Sequence, residues 1–514
     1  MFADLMTSRR FAPLFWTQFF SAFNDNFVRS MLAMLILFRL GEEHAGALVT
    51  LAVAIFVLPS VFLSALGGEI ADSHDKALIG RRLKFAEIFV QMIAAAGFMF
   101  GSLILLYTAL FGLGVIAALF GPIKYGILPD HLETRELPAG NALVEGATFF
   151  AILLGVIIGG YAASHDRGSW SVVVQLMLIA TMCWGAARLI PATGIGAPGL
   201  KIEKNIAKSS VRLVRELASD RRLWIGGLAV SWFWMTGAVA LSLVPVLIKH
   251  KIGGGIDVET AVMALFAGGI GVGSILAAVI SHGRIALLPT PISALMMAVF
   301  LIDLGYTAWG MPQASGTVDL TAFFTSGTGL RIAFDVVAIA VFGGLFVVPV
   351  FSAVQSWAGE DRRARVIAGV NIVTSLFMVA GSVATALLQV AGLGEPALLA
   401  LLGVLNAIVG VFLFKLLPGN LAAEALQALF RVIFRLEVKG LEHLEAAGER
   451  CVIAVNHTSF LDAPVLLSVL DRKPVFAIDW QIAKAWWVRP FPNMRPLTTA
   501  SAGPAACRMN ERVR

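Results

Sequence analysis

The chain has 514 residues, of which 58% are hydrophobic and only 14% are charged, and its mean hydropathy is +0.83. Such an apolar composition excludes a protein that is water-soluble throughout and predicts an integral membrane protein. The net charge of +6 comes without a basic stripe interleaved with aromatic residues, which argues against nucleic acid as a partner and fits basic loops beside anionic lipid.

Apolar runs of about 20 residues, each long enough to cross about 30 Å of hydrocarbon as a helix, recur up to residue 418. They fall into two groups of six, separated by a polar and basic central loop at 191–222 that is predicted to be partly amphipathic helix. The first run has a short basic lead, but no small-residue cleavage site follows the apolar run, so we expect a retained first span. The predicted spans are 13–38, 45–70, 85–106, 109–129, 141–163 and 169–190, then 223–248, 258–280, 286–309, 331–353, 366–390 and 395–417.

Basic residues in the short loops predict the orientation, because cytoplasmic loops carry an excess of lysine and arginine. One side carries Arg9, Arg10, Lys76, Arg81, Arg82, Lys84, Arg135, Arg284, Arg362, Arg363, Arg365 and the central loop. The other side has little beyond Arg39, Arg167, Lys249, Lys251 and Arg331. With an even number of spans, both termini are predicted to be cytoplasmic. The widely spaced Cys183, Cys451 and Cys507 predict neither a disulfide framework nor a metal site.

Polar residues inside the first and fourth spans are candidates for substrate binding. The first span reads FFSAFNDNFVRSML, with Asn24, Asp25 and Asn26 consecutive and Arg29 one turn later. A carboxylate at this depth needs a partner or a watery cavity, so Asp25 either binds substrate or pairs with Arg29 to fix helix packing. Lys124, in FGPIKYGILP, either faces a central cavity or extends to the membrane boundary. Glu145, Asp303 and Asp335 are further candidates that helix contacts explain as well.

A second set of residues, Gly68, Asp72, Lys76, Arg81 and Arg82, follows the second span and is predicted to act in gating. Glycine allows helices to approach closely, and Asp72 can cap a neighbouring helix or pair with loop arginines when the cytoplasmic side is closed. The pattern GEIAD followed by GRR resembles the loop after the second helix of the major facilitator superfamily. This resemblance implies an all-α polytopic membrane protein of about twelve transmembrane helices in two six-helix halves that move about a central cavity.

The character of the sequence changes after Pro418. Residues 419–435 pattern as an amphipathic interfacial helix, and 436–490 pattern as strand, helix and strand, typical of part of an α/β domain. Within CVIAVNHTSFLDAPVLL, a carboxylate at Asp462 could orient the His457 ring, and the ring could then remove a hydroxyl proton. The alternative is structural, because Ser459 and Asp462 have the spacing of a capping box.

CVIAVNHTSFLDAPVLL resembles the first motif of the glycerolipid acyltransferase family. The resemblance implies that His457 is the general base and Asp462 its orienter, with acyl carrier protein or acyl-coenzyme A as the acyl donor. The family's later glycine/arginine and phenylalanine-proline-glutamate-glycine motifs do not occur in the sequence. Residues 491–514 show no strand or helix period, and we expect an irregular, frameshifted or truncated tail and no acyl transfer.

The order of the two parts resembles bacterial fusions of a lysophospholipid transporter with an acyltransferase, and the opening FWTQFFSAFNDNFVRSMLAMLI resembles the lysophospholipid transporter family. The resemblance implies a multi-pass protein of the bacterial inner membrane that moves lysophosphatidylethanolamine or a related lipid inward for reacylation. The implied partners are this lipid, the bilayer and acyl carrier protein, with no cofactor in the transporter. Two alternatives stay open, namely a membrane-anchored acyltransferase and a drug or metabolite exporter of the same superfamily.

Overall fold

The computed structural model of the chain forms two compact units, residues 1–418 and 419–514, each described separately below. In the first unit it describes residues 2–40, 42–165, 170–203, 205–281, 284–314 and 316–418. In the second unit it describes residues 421–434, 443–444, 447, 453, 455, 461–470, 476–478 and 494–496.

The described part of the first unit is helical almost throughout. Its helices are α1 Phe2–Thr7, α2 Ala12–Leu40, α3 Glu42–Ser73, α4 Lys76–Phe100, α5 Leu103–His131, α6 Leu137–His165, α7 Trp170–Arg188, α8 Ile206–Ser219, α9 Arg221–Leu247, α10 Ile256–Ser281, α11 Pro289–Trp309, α12 Leu320–Thr325, α13 Gly327–Trp357, α14 Arg363–Val390 and α15 Glu395–Leu416. Each of the twelve predicted spans overlaps one long helix, although the third, 85–106, also runs past the end of α4 into the start of α5. The central loop contains a helix, α8, as the sequence predicts.

Eleven of these helices are long and apolar enough to cross a membrane within the described residues. α2 is 29 residues long but is not among them. The polar run from Asn24 to Asn26, together with Arg29, lowers its hydropathy in the middle. α2 nevertheless packs along α6 and α7 as a full member of the bundle.

The long helices form two halves. In the first half, α2 packs on α6 and α7, and α5 packs on α3 and α4. In the second half, α13 packs on α9, α10 and α11, and α11 packs on α15. The halves meet where α3 contacts α14 and where α6 contacts α10. We call the end of the bundle where α3 passes into α4, α5 into α6 and α13 into α14 the basic end.

The sequence places the start of the third span too late. Asp75 caps α4, its carboxylate accepting a hydrogen bond from the Leu78 N–H at 2.8 Å, so the helix begins at Lys76 rather than at 85. Lys84 therefore lies within a membrane helix and is fully buried, not in a loop. Arg363 and Arg365, also counted as loop residues, belong to the first turn of α14.

The described part of the second unit contains two helices, α16 Leu421–Phe434 and α17 Asp462–Val469, which contact each other. Two short strands, β1 Phe476–Ile478 and β2 Met494–Pro496, pair in parallel, with Phe476 opposite Met494. The expectation of an irregular chain from residue 491 is therefore wrong for Met494–Pro496. His457 and all of the preceding strand motif except Ile453 and Val455 lie outside the described residues.

Candidate functional site

A cavity of about 250 Å³ lies between the two halves of the bundle. Helices α2 and α6 of the first half line it together with α9, α10, α11, α13 and α14 of the second. Most of the lining side chains are apolar, and the polar ones are Asn26, Arg29 and Thr236. Arg29 is the charged residue among them, so this is an apolar cavity with a cation in one wall.

Arg29 has donor capacity that the described residues leave unused. Its guanidinium carbon lies 4.5 Å from the centroid of the Phe56 ring, and its buried Nε has no hydrogen-bond partner there. Asp25, one turn earlier on α2, is half-buried and interacts electrostatically with Arg29. No ion pair joins the two in the described part of the chain, so the structure does not show the packing pair that the sequence offered as an alternative. A guanidinium with a spare N–H suits an anion such as a phosphate.

The four residues predicted to bind substrate occupy different places. Asn26 lines the cavity, and its Nδ2 donates to the Ala22 carbonyl at 2.8 Å. Asn24, Asp25 and Lys124 lie outside the lining of this cavity. The sequence singled out Arg29 only as a packing partner of Asp25, although it is Arg29 that reaches the cavity.

A buried polar network stands behind Asn24 and Asp25. Lys84 Nζ donates to Ser21 Oγ at 2.6 Å and to Glu87 Oε2 at 2.7 Å, and Asn24 Nδ2 donates to Glu87 Oε1 at 3.1 Å. Lys84 and Glu87 are at most 1% exposed. Asp25 interacts electrostatically with both. A buried charge is tolerated when it is paired and hydrogen-bonded. The network therefore holds α2 and α4 in register.

Lys124 belongs to the same half and is half-buried. Its Nζ lies 4.3 Å from the centroid of the Tyr125 ring, and it interacts electrostatically with Glu145 and Asp25. The Tyr125 hydroxyl donates to Glu145 Oε1 at 2.6 Å. The first half thus contains three cations and three carboxylates that interact with one another at buried or half-buried positions: Arg29, Lys84, Lys124, Asp25, Glu87 and Glu145.

The opposite wall of the cavity is aromatic and aliphatic. Trp234 of the second half stacks on Phe149 of the first, with ring centroids 5.8 Å apart. Phe233 stacks on Phe346 at 6.0 Å, and Phe266 meets Phe149 edge-on at 6.4 Å. Such a wall suits an apolar chain because contact there removes hydrocarbon surface from water.

At the basic end, Asp72 joins the halves. Its carboxylate accepts from the Ala364 N–H and the Arg365 N–H, each at 3.0 Å, and from Arg365 Nε at 3.1 Å. Asp72 thus caps α14 of the other half and pairs with an arginine there. Gly68, one turn earlier, permits the contact, because a Cβ at this position would lie 2.6 Å from the Ala368 Cβ.

A second ion-pair chain lies beside this cap. Asp130 accepts from Lys76 Nζ at 2.8 Å and from Arg363 Nη1 at 2.7 Å, linking α4, α5 and α14. Arg81 donates to the Ile190 carbonyl, and Arg82 is exposed. Of the predicted gating residues, Gly68 and Asp72 therefore contact the second half directly, and Lys76 is linked to it through Asp130 and Arg363. The sequence did not identify Asp130, and it expected a loop arginine to pair with Asp72 without specifying Arg365.

Two families match the chain. Residues 14–338 match the Major Facilitator Superfamily, and residues 435–498 match the Acyltransferase family. The chain belongs to the major facilitator superfamily. The predicted fold class and family are confirmed, and the second match covers the region that the sequence compares with acyltransferases.

Relatives and solved structures agree with this membership. The chain is 30% identical over 344 residues to the lysophospholipid transporter LplT of Klebsiella pneumoniae (strain 342), covering 66% of this chain and 78% of that one. It is 27% identical over 374 residues to the same transporter of Pectobacterium carotovorum (strain PC1), covering 71% and 82%. The human organic anion transporter MFSD10 has a similar fold, with a TM-score of 0.62, 15% identity and coverage of 79% and 98%.

The central loop, 191–222, also bridges the two halves at the basic end. Glu69 of α3 is fully buried and accepts from Ser209 Oγ of α8 at 2.5 Å, from the Glu203 N–H at 2.9 Å and from Arg212. Glu216 of α8 faces Arg365 of α14 at 3.5 Å. Glu203 lies outside the spans, and a hydrogen bond from the Asn205 N–H lowers the pKa of its carboxyl, so it stays ionised at neutral pH.

The acyltransferase region gives little geometry. Asp462 is the first residue of α17 and is half-buried. His457 lies outside the described residues. Their catalytic roles stay a prediction.

Proposed function

We propose that the bundle moves lysophospholipids, of the lysophosphatidylethanolamine kind, across the membrane by alternating access. The observation that carries this proposal is the cavity whose first-half wall presents the underused guanidinium of Arg29 and whose second-half wall is apolar. An amphiphile with an anionic group at one end and an acyl chain at the other matches both walls. The curated relatives named lysophospholipid transporters support the same substrate class.

The head group is assigned to the first half. Its phosphate would bind Arg29, because guanidinium groups make charge-assisted hydrogen bonds to phosphate oxygens. Its ammonium would lie toward Asp25, the carboxylate one turn along α2, which makes no hydrogen bond or ion pair within the described part of the chain. Asn24, Asn26 and Lys124 complete the predicted set around this position.

The acyl chain is assigned to the second half, against Phe233, Trp234 and Phe266. Binding there needs no polar partner, because burial of each methylene in an apolar site is favourable by about 0.8 kcal/mol. A soluble metabolite would gain nothing from this wall. That difference favours a lipid over a polar solute as the cargo.

Uptake into vesicles tests the proposal. Purified protein is reconstituted in liposomes, and entry of labelled lysophosphatidylethanolamine is compared for the native protein, Arg29→Ala and Arg135→Ala. We expect transport by the native protein and by Arg135→Ala, whose exposed side chain does not line the cavity, and loss in Arg29→Ala. No uptake by the native protein would reject the function, and equal uptake by all three would reject the site.

The same vesicles separate the rival exporter function. Inhibition of labelled uptake by a cationic drug, without inhibition by unlabelled lysolipid or diacyl lipid, would favour a drug exporter. We expect lysolipids to compete and cationic drugs not to, since the described residues that line the cavity include a cation and no carboxylate.

We also propose that the basic end faces the cytoplasm of a bacterial cell, in the inner membrane, and that both termini lie on that side. The excess of lysine and arginine in the loops of this end supports the orientation. Labelling of a cysteine introduced at Leu78 by an impermeant reagent tests it in intact spheroplasts. We expect labelling only after the membrane is broken. Labelling in intact spheroplasts would show the opposite orientation.

The acyltransferase match supports a second, separate proposal. Residues 435–498 would place His457 as general base and Asp462 as its orienter, with acyl-coenzyme A or acyl carrier protein as the donor. The family's later glycine/arginine and phenylalanine-proline-glutamate-glycine motifs, which bind glycerol phosphate, do not occur in the sequence. We therefore expect no acyl transfer by this chain alone. Turnover of either acyl donor by the native chain, together with its loss in His457→Ala, would overturn that expectation.

A further inference from the structure

Pro129, near the basic end of α5, frees a backbone acceptor. Proline has no N–H, so the carbonyl of Tyr125, four residues earlier, cannot receive the usual helical hydrogen bond. A buried carbonyl without a donor is unfavourable. Here the donor comes from the other half of the bundle, since Gln355 Nε2 of α13 donates to the Tyr125 carbonyl at 3.2 Å.

Gln355 is simultaneously paired with Asn141 of α6. Asn141 Nδ2 donates to Gln355 Oε1 at 2.6 Å and to Ser352 Oγ at 3.0 Å, and Gln355 Nε2 donates back to Asn141 Oδ1 at 3.2 Å. All three side chains are fully buried. One residue of the second half thus satisfies polar groups on two helices of the first half.

The same contact reaches the charged groups beside the cavity. Asn141 and Glu145 are four residues apart on α6 and so share a helix face. The Tyr125 hydroxyl donates to Glu145 Oε1 at 2.6 Å, while its ring packs edge-on against Phe351 of α13 at a centroid distance of 4.4 Å. Glu145 Oε2 has no partner in the described part, and Lys124 is the cation with which Glu145 interacts.

We propose that Gln355 is a latch that holds the basic end closed by donating to the carbonyl freed by Pro129, and that Tyr125 and Glu145 tie this latch to Lys124. When the basic end opens, Gln355 leaves both the carbonyl and Asn141, and their polar groups lose their partners at the same time. The latch stabilises the closed basic end because the Tyr125 carbonyl has no donor within α5. Without Pro129, the helix itself would supply this donor. It acts whichever solute the bundle carries.

Distances between spin labels test the latch without a transport assay. Labels are attached to cysteines at Leu78 and Glu360, two exposed positions on opposite halves at the basic end. The native protein is expected to give mainly one short distance. Gln355→Met, which keeps the side-chain shape, is expected to raise the long-distance fraction about five- to tenfold, the factor that a lost hydrogen bond is worth. Asn141→Leu is expected to do the same.

Asn406→Leu is the matched control. Asn406 is a buried amide like Gln355, but its bonds, to Trp232 Nε1 at 2.7 Å and to the Ala294 carbonyl at 2.7 Å, stay within the second half. This variant is expected to lose thermal stability and to keep the native distances. A shift as large as that of Gln355→Met would overturn the latch.

A double-mutant cycle with Pro129→Ala makes the test specific. Alanine restores an N–H, so the Tyr125 carbonyl is satisfied within α5, and Gln355→Met should then add much less to the open fraction than it does alone. Pro122→Ala, on the same helix, should leave the effect of Gln355→Met unchanged. Additive effects in both pairs, or native distances in Gln355→Met, would contradict the proposal.

Tyr125→Phe tests the tie to Lys124. It removes the hydroxyl that bonds Glu145 and leaves the backbone carbonyl in place. We expect a smaller rise of the open fraction, about two- to fivefold, because one side of the network is lost. Native distances in this variant would reject the tie, and Glu145→Gln, which keeps the acceptor oxygen, should stay closer to native than Glu145→Ala.

Discussion

The two halves of the bundle have the same number of long helices and different chemistry. Around the cavity, the first half supplies Arg29, which interacts electrostatically with Asp25, whereas none of the described second-half residues in the lining is charged. Fold symmetry therefore does not extend to electrostatics. A cargo that is ionic at one end and apolar at the other is the kind that gains from this difference.

The difference also has a structural side. Charges in the first half are held by buried bonds such as those of Lys84 with Ser21 and Glu87. In the second half, the described ion pair of Arg331 with Asp303 lies at partly exposed positions away from the cavity. The first half must thus keep a polar interior intact, and changes there should have the larger effects.

The largest effect is expected for Lys84→Met. It leaves Glu87 buried and unpaired, and breaking a buried pair in this way costs about 3–5 kcal/mol. Thermal unfolding in detergent, followed by size-exclusion chromatography, should show little folded protein, and Lys84→Met/Glu87→Met should recover part of the loss. Arg135→Ala removes the exposed Arg135–Glu133 pair and should change stability by less than about 1 kcal/mol. Equal stability in Lys84→Met and Arg135→Ala would show that the polar interior is not needed.

Arg29→Ala should leave the fold intact and lower lysolipid uptake about 10- to 100-fold, because a charge-assisted bond to phosphate is lost. Arg29→Lys should keep part of the activity, since lysine retains the charge without the guanidinium fork. Initial uptake rates in liposomes measure both. Full activity in Arg29→Ala would show that the charged group in the first-half wall is not needed for lysolipid uptake.

A smaller effect, about tenfold, is expected for Gly237→Phe. Gly237 lines the cavity in the second half, and a Cβ there would meet nothing within 4 Å, so a large side chain can fill the cavity without a clash. Gly185→Phe is the control, because Gly185 on α7 has equal space but does not line the cavity. The uptake of long-chain lysolipids should fall only in the first variant. Unchanged uptake would show that the apolar wall does not bind the chain.

The smallest effect is expected for Ser209→Ala. It removes one of three donors to Glu69 and should lower the free energy of unfolding by about 1 kcal/mol. Lysolipid uptake should stay within about twofold, because Glu216 and the buried Leu213 and Leu217 still hold α8 in place. A loss as large as that of Arg29→Ala would move the functional centre from the cavity to the central segment.

Most of the fold could be predicted from the sequence, because an apolar run of the right length has few alternatives in a membrane. The predicted helix boundaries were wrong where charged residues lie within a helix. Lys84 looks like a loop residue in a hydropathy profile, and only the contact with Glu87 and Ser21, brought together by folding, explains its place within α4.

The site was predicted less well, for a related reason. Asp25 was selected as a rare carboxylate at membrane depth, but which side of α2 faces the cavity depends on how α6 and the second half pack around it. Asn26, a predicted binding residue, and Arg29, named only as a packing partner, both line the cavity. A single sequence could suggest that Asp72 pairs with a loop arginine but not that the arginine is Arg365, which is far away in the chain. The aromatic wall was equally hidden, because phenylalanine and tryptophan are ordinary components of membrane helices.

The most direct test of the two-wall cavity uses photoreactive lysophosphatidylethanolamine in reconstituted protein, followed by mass spectrometry of the adducts. A diazirine at the end of the acyl chain should label α9 and α10, near Phe233, Trp234 and Phe266. A diazirine on the head-group amine should label α2, between Asn24 and Arg29. Reversed labelling, or labelling confined to the lipid-facing surface with both probes, would contradict the account.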